Sequence, residues 1–361
     1  MIRRSTIVFI LLVAAAAWGV WYSLQPVRIG LIAELTGAYP AYGNSARKAA
    51  SLLVKTINDK GGVQDGLLRR RIELIIRDNR ADAAYTAGLV EALKRAGAVV
   101  IIGPSLSPYA VPAAEAASRL RIPIIIPWSS DPRLTQAYVY RITASDDRQG
   151  ALLARLAHDN LHARRAAIVY DPQFPELVRQ ATGFRNAFPG SPPLVAVGDA
   201  SVSAITQAQP DVLFIAAYYD RVPAIVREMR KAGVNAPLVG GIGWGSKTLF
   251  DLCGGDCSDN YVASRFSTAS PLPEAAAFVR QYAQLYNSLP DDVAASVYDA
   301  TGIAVAAIGR EGGTAMGLNH TRNYKGVTGT ISFESRGDTR KSMVISKTSD
   351  SDFTYYTTVS P

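Results

Sequence analysis

The residues best placed for chemistry are two short serine clusters. Ser105-Leu106-Ser107-Pro108 and Ser129-Ser130-Asp131-Pro132 each follow an apolar run. Serine or aspartate followed by proline is a favoured helix start, because the side chain caps unpaired N–H groups and proline needs none of its own. The same unpaired N–H groups and the positive end of the helix dipole suit a carboxylate. The competing reading is purely local: serines ahead of helices commonly do no more than cap them. The next candidates are Cys253 and Cys257, the chain's 2 cysteines, in Leu-Cys-Gly-Gly-Asp-Cys. In an exported chain, this spacing reads as one disulfide closing a small loop. A metal site is not expected, since His158, His162 and His320 have no matching spacing near it.

Enzymatic patterns are incomplete. No Gly-x-Ser-x-Gly elbow is present, and Ser107 has no obvious histidine partner. Gly240–Thr248 approaches a phosphate loop, but Ser246 separates Gly245 from Lys247. Gly241, Gly243 and Gly245 miss the dinucleotide fingerprint by one residue. Neither catalysis nor a cofactor is expected.

The elements that must carry the serines follow from apolar patterning. The chain has 361 residues, 48% hydrophobic and 19% charged, enough for two α/β lobes of ordinary size. Net charge is +8, with Arg69-Arg70-Arg71 and Arg164-Arg165 as the densest basic runs. These are scattered turn residues, so nucleic acid is not the expected partner. Continuously apolar strands are expected at 27–33, 72–76, 98–102 and 123–126, with helices at 45–58, 83–95 and 108–121 between them. Gly61-Gly62 and Gly97 supply left-handed helix stops. A second series runs through helices at 149–160, 176–188, 203–208 and 221–231 and strands at 166–170, 194–197, 212–216, 238–241 and 261–265. Helices at 273–287 and 293–308 follow, the latter buried, and then strands at 327–333, 342–346 and 353–359. Alternation of this kind implies right-handed crossovers and doubly wound sheets.

The start of the chain sets the compartment. Arg3 and Arg4 precede an uncharged stretch from Ser5 to Val27, with small residues Ala15-Ala16-Ala17 and then Trp18, Trp21 and Tyr22. Residues 1–26 are expected to be a signal peptide or an uncleaved N-terminal anchor. Both place the folded part in the periplasm or on the outer face of the cytoplasmic membrane. No cysteine precedes Cys253, so a lipoprotein start is not expected.

From Val27 onward the chain resembles the periplasmic leucine/isoleucine/valine-binding protein family. Five segments carry the likeness in order. These are Ile29-Gly30-Leu31 through Leu35-Thr36-Gly37 and Ala41-Tyr42-Gly43 to Ile57–Gly62; Ile101–Ser107; Ile124–Pro127 with Ser129–Pro132; Tyr298-Asp299-Ala300; and Gly329–Phe333 with Arg336-Gly337-Asp338. The resemblance implies an α/β fold of two Rossmann-like lobes joined by a three-crossing hinge. The lobes are expected at 27–144 with 268–336, and at 145–267 with 337–361. It implies a small carboxylate-bearing or amino-acid-like ligand trapped between the lobes, a membrane permease of an ABC importer as partner, and a monomer.

The resemblance also implies a site. Ser107, Ser129 and Ser130 match the family's carboxylate-binding loops, and Tyr42 matches an aromatic that covers the ligand. In the second lobe Tyr218-Tyr219 matches a ligand-facing tyrosine pair, with Tyr219 preferred. Phe174 stands where the family offers a tyrosine, and Ile242 where it carries the acid that pairs with an α-ammonium group. A buried ammonium without a counter-charge is costly. The change therefore points to a carboxylate ligand without a free amine, unless Glu34, Asp220 or Asp251 substitutes. Trp244 is a further pocket candidate, with core packing as its alternative. The rival to transport is a ligand-sensing receptor of the same fold, which an uncleaved anchor would favour by tethering it near a membrane partner.

Overall fold

The computed structural model describes residues 13, 21, 25–38, 40–198, 201–246, 248–310, 312–334 and 337–361. The expected export segment, 1–26, lies outside these residues except for Val13, Trp21, Gln25 and Pro26. Among the described residues no helix is long and apolar enough to cross a membrane.

The first series gives β1 (Val27–Ala33), β2 (Val63–Asp65), β3 (Leu68–Arg70), β4 (Ile72–Asp78), β5 (Ala98–Ile102), β6 (Ile124–Ile126) and β7 (Val139–Arg141). β1, β4, β5, β6 and β7 form a parallel 5-stranded sheet in the order β4-β1-β5-β6-β7. The central strands are buried on both faces, as their unbroken apolar runs require. β2 and β3 form a separate antiparallel hairpin.

The second series gives β8 (Ala166–Tyr170), β9 (Leu194–Ala196), β10 (Val212–Ala216), β11 (Leu238–Gly240) and β12 (Tyr261–Ser264). The tail adds β13 (Tyr324–Gly326), β14 (Gly329–Phe333), β15 (Thr339–Lys341), β16 (Met343–Thr348) and β17 (Phe353–Val359). A 7-stranded sheet runs β17-β16-β12-β11-β10-β8-β9, with β16 antiparallel to both its neighbours, β12 and β17, in an otherwise parallel set. β15 still pairs with β14 in a small antiparallel sheet, so the chain enters the second large sheet only at Met343, later than the Gly337 break expected from sequence.

Helices cover the faces. The helix expected at 45–58 begins earlier and spans Pro40–Asp59. Gly61 and Gly62 end it at φ of +91° and +88°, and Gly97 closes Ala83–Arg95 at +83°. Helix Asp292–Ala307 is apolar almost all round and packs against Pro40–Asp59, as its low charge implies. β7 and the β2–β3 hairpin were not expected. β7 is three residues long and includes Arg141, so its apolar signal is too short to register. Strand 327–333 splits instead at Val327-Thr328, where their N–H groups and the Thr328 hydroxyl donate to the buried Asp299 carboxylate.

Candidate functional site

β5 and β6 run parallel with Ile101 opposite Ile124 and Ile102 opposite Ile125, so the loops that leave their carboxyl ends must meet. There Ser107 Oγ and Ser129 Oγ lie 2.6 Å apart. Two expectations about these loops are corrected. Leu106, not Ser107, is the cap of helix Ser107–Leu120, and Ser107 is its first residue. Asp131-Pro132 starts no helix, because β7 follows too closely. Asp131 instead accepts from the N–H of Arg133 at 2.9 Å and its guanidinium at 2.7 Å. The serine hydroxyls are therefore not spent on helix caps.

Buried charges hold both loops from beneath. Glu34, fully buried, accepts from Ser105 N–H at 3.1 Å and Leu106 N–H at 3.3 Å, and burial pushes its carboxyl up. Arg141, also fully buried, donates to the Ser130 and Asp131 carbonyls at 3.1 and 2.9 Å and pairs with Asp338 at 2.5 Å. Asp338 also faces Arg148 at 3.3 Å. Gly43 brings the start of helix Pro40–Asp59 against β1, since a Cβ there would overlap the Glu34 carbonyl. That contact places Tyr42 beside the serine loops.

The facing wall is built by close helix packing. Helices Asp146–Arg155 and Pro175–Ala187 touch backbone to backbone at Gly150 and Gly183, where a Cβ would overlap the Gln180 and Asp147 carbonyls. Their first turns then present Asp146 and Glu176 side by side. Arg179 donates through two nitrogens to Asp146 Oδ2, at 3.1 and 2.9 Å, and burial nonetheless raises the Asp146 carboxyl. Tyr218 Oη donates to Glu176 Oε1 at 2.6 Å, and burial first, then this carboxylate, push the phenol up.

Between the two walls lies a cleft of about 930 Å³. Tyr42, Ser107, Ser129, Ser130, Tyr219 and Ile242 all line it. Phe174 and Trp244 do not. Phe174 stands edge-on to Tyr218 with ring centres 4.9 Å apart, one layer behind the wall. Trp244 is fully buried and donates from Nε1 to the Ile215 carbonyl at 3.2 Å, beneath Gly240, whose missing side chain makes room for the indole. The core reading of Trp244 is the one its position supports. Cys253 and Cys257 form a disulfide, Cα atoms 5.7 Å apart, beyond the cleft lining.

Glu34, Asp220 and Asp251 contribute no carboxylate to the cleft: the first is committed beneath the loops, and the others are exposed. Asp146, Glu176 and Asp292 supply acid there instead. The argument from Ile242 against an amine thus loses its premise. Sequence reasoning missed these acids and also missed Trp128, Arg179 and Arg265; of the expected pair Tyr218-Tyr219 it preferred Tyr219, and both line the cleft. Asp146 and Glu176 open their helices, so first-turn acidity was the signal available; Trp128 sits directly before Ser129. Arg265 left no local signal.

Two large sheets with a cleft at the carboxyl ends of their parallel strands are the arrangement of the type I periplasmic binding protein fold. The chain belongs to the periplasmic binding protein family, whose model matches residues 26–345. It is a solute-binding protein, and membership of that family places its folded part in the periplasm. It is 26% identical over 268 residues to the Leu/Ile/Val-binding protein BraC3 of Rhizobium johnstonii, covering 70% of each chain. Among solved structures it is similar to the branched-chain amino acid transporter substrate binding protein LivJ of Streptococcus pneumoniae in complex with isoleucine. That match has a TM-score of 0.70 and 26% identity, over 93% of this chain and 100% of the other. The leucine binding protein LivK of Thermotoga maritima matches with a TM-score of 0.69 and 26% identity, over 93% of this chain and 99% of the other.

Proposed function

We propose that this chain is the solute-binding subunit of a branched-chain-amino-acid-type ABC importer, and that it traps a small carboxylate-bearing solute in the cleft. The observation that carries the ligand class is the Ser107–Ser129 hydroxyl pair on loops braced by Glu34 and Arg141. Rigidly held hydroxyls beside a helix N-terminus suit a carboxylate and little else. The ligand carboxylate docks on Ser107, Ser129 and Ser130 under Tyr42. Closure then brings Tyr219, Ile242 and the Asp146–Glu176 wall against the rest of the solute. The closed form presents a surface the open form lacks, and a membrane permease reads that difference.

The lobes in this reading are 27–144 with the 268–336 segment, and 145–267 with the C-terminal strands, the last crossing lying near Ser342 where β15 gives way to β16. The subunit acts as a monomer, released by cleavage within residues 1–26 or held there as an anchor. An ammonium group on the ligand is compatible with the cleft, because Asp146, Glu176 and Asp292 line it. A thermal-shift screen over amino acids, aromatic acids, dicarboxylates and the matching amides tests the proposal. Carboxylates are expected to raise the melting temperature where their amides do not. Equal shifts from acid and amide would overturn it.

A further inference from the structure

Among the described residues, the cleft contains one charge that is left without a hydrogen bond. Its acidic lining residues are all engaged: Asp131 by Arg133, Asp146 by Arg179, Glu176 by Tyr218, Asp292 by Trp128, and Asp291 by the Ala294 N–H. Of the two lining guanidinium groups, that of Arg179 is the one holding Asp146. The other belongs to Arg265, the residue that follows β12. Its side chain is only 14% exposed, and its Nε, shut off from solvent, has no hydrogen-bond partner. The nearest acid oxygen, Asp292 Oδ2, stands 3.8 Å from Nη1, beyond hydrogen-bond reach, and already accepts from Trp128 Nε1 at 3.0 Å.

One face of the guanidinium is covered by the Trp128 indole, with Cζ 4.1 Å from the ring. Tyr42 in turn packs on Trp128, ring centres 5.8 Å apart. A largely desolvated guanidinium that lines the cleft with donors unspent is complementary to a planar two-oxygen acceptor, which a carboxylate supplies. The serine loops already offer a separate carboxylate seat at Ser107 and Ser129, the latter next in sequence to Trp128.

We propose that Arg265 is a specificity-determining ligand contact that binds a second carboxylate, so that the solute is a dicarboxylate, with or without an amine. This rests on the reading that Ser107 and Ser129 take the first carboxylate. The aliphatic ligands named for the structural relatives carry no such second group.

Calorimetry with length-matched pairs tests it: glutarate against pentanoate, and glutamate against norvaline. Each is titrated into wild type, Arg265→Met, Arg265→Lys and Ser107→Ala, with folding checked by ligand-free thermal unfolding. In wild type the diacid of at least one pair is expected to bind on the order of ten- to a hundredfold tighter than its monoacid. That preference disappears in Arg265→Met and partly returns in Arg265→Lys, with the diacid losing at least about tenfold more affinity than the monoacid. The pair that shows the preference tells whether the amine is required. A preference that survives Arg265→Met overturns the proposal, as does an equal loss for monoacid and diacid. Absence of any diacid preference in wild type, or no binding by all four solutes, overturns it too. Loss of the preference in Arg265→Met with unchanged binding in Ser107→Ala supports Arg265 and sinks the serine reading instead.

Discussion

The two walls of the cleft are built by different means. The serine wall consists of short side chains on loops whose backbone is pinned from below by buried charges, Glu34 and Arg141. The opposite wall consists of long side chains placed by other side chains: Arg179 by Asp146, Tyr218 by Glu176, and Arg265 by Trp128 of the facing loop. On the proposed reading, the wall set by backbone position takes the carboxylate, and the wall of paired side chains contacts the rest of the solute. The difference teaches where the class of ligand is decided and where its identity is.

The largest expected effect comes from removing the brace. Arg141→Met takes away the donor to the Ser130 and Asp131 carbonyls and leaves Asp338 only its weaker charged partner, Arg148. Breaking one partner of a buried pair costs on the order of 3–5 kcal/mol, so urea unfolding should show a loss of that size. A variant that unfolds at the wild-type midpoint would mean the loops are not held as described.

A smaller effect tests the seam between the walls. Lys341, at the end of β15, is buried and its ammonium is pushed down to about 8 by desolvation, with Asp299 only partly offsetting this. The sign follows from linkage. Between the folded value near 8 and the ordinary lysine value, the unfolded chain binds more protons than the folded one, so this group makes stability rise with pH. Between pH 8 and 10, wild type should gain roughly 1–2 kcal/mol relative to Lys341→Met in denaturant titrations. Parallel pH profiles for the two proteins would contradict the burial of a strained charge there.

The same contrast explains what the sequence disclosed. The parallel strands, most helices and the glycine stops were legible, because each follows from a local run of apolar residues or a required positive φ. The serine wall was legible for the same reason: Ser107 and Ser129 follow directly from β5 and β6. The facing wall was not. Asp146 and Arg179 meet only because Gly150 and Gly183 let two helices touch, and Arg265 meets Trp128 across distant parts of the chain. Glu34, Asp220 and Asp251 were reasonable substitutes for the acid absent at Ile242, yet the cleft draws on helix first turns instead. Trp244 and Phe174 show the converse case, aromatic residues in a site-like loop that pack behind the wall.

The central claim is that a ligand carboxylate docks on the paired serine hydroxyls. It is tested most directly by calorimetry of a solute identified by thermal shift, titrated into wild type and into the Ser107→Ala, Ser129→Ala double variant. The account predicts an affinity loss of about a hundredfold, from hydrogen bonds to a charged group worth on the order of 1.5–3 kcal/mol, with the unfolding midpoint nearly unchanged. Unaltered affinity in a folded double variant would contradict it.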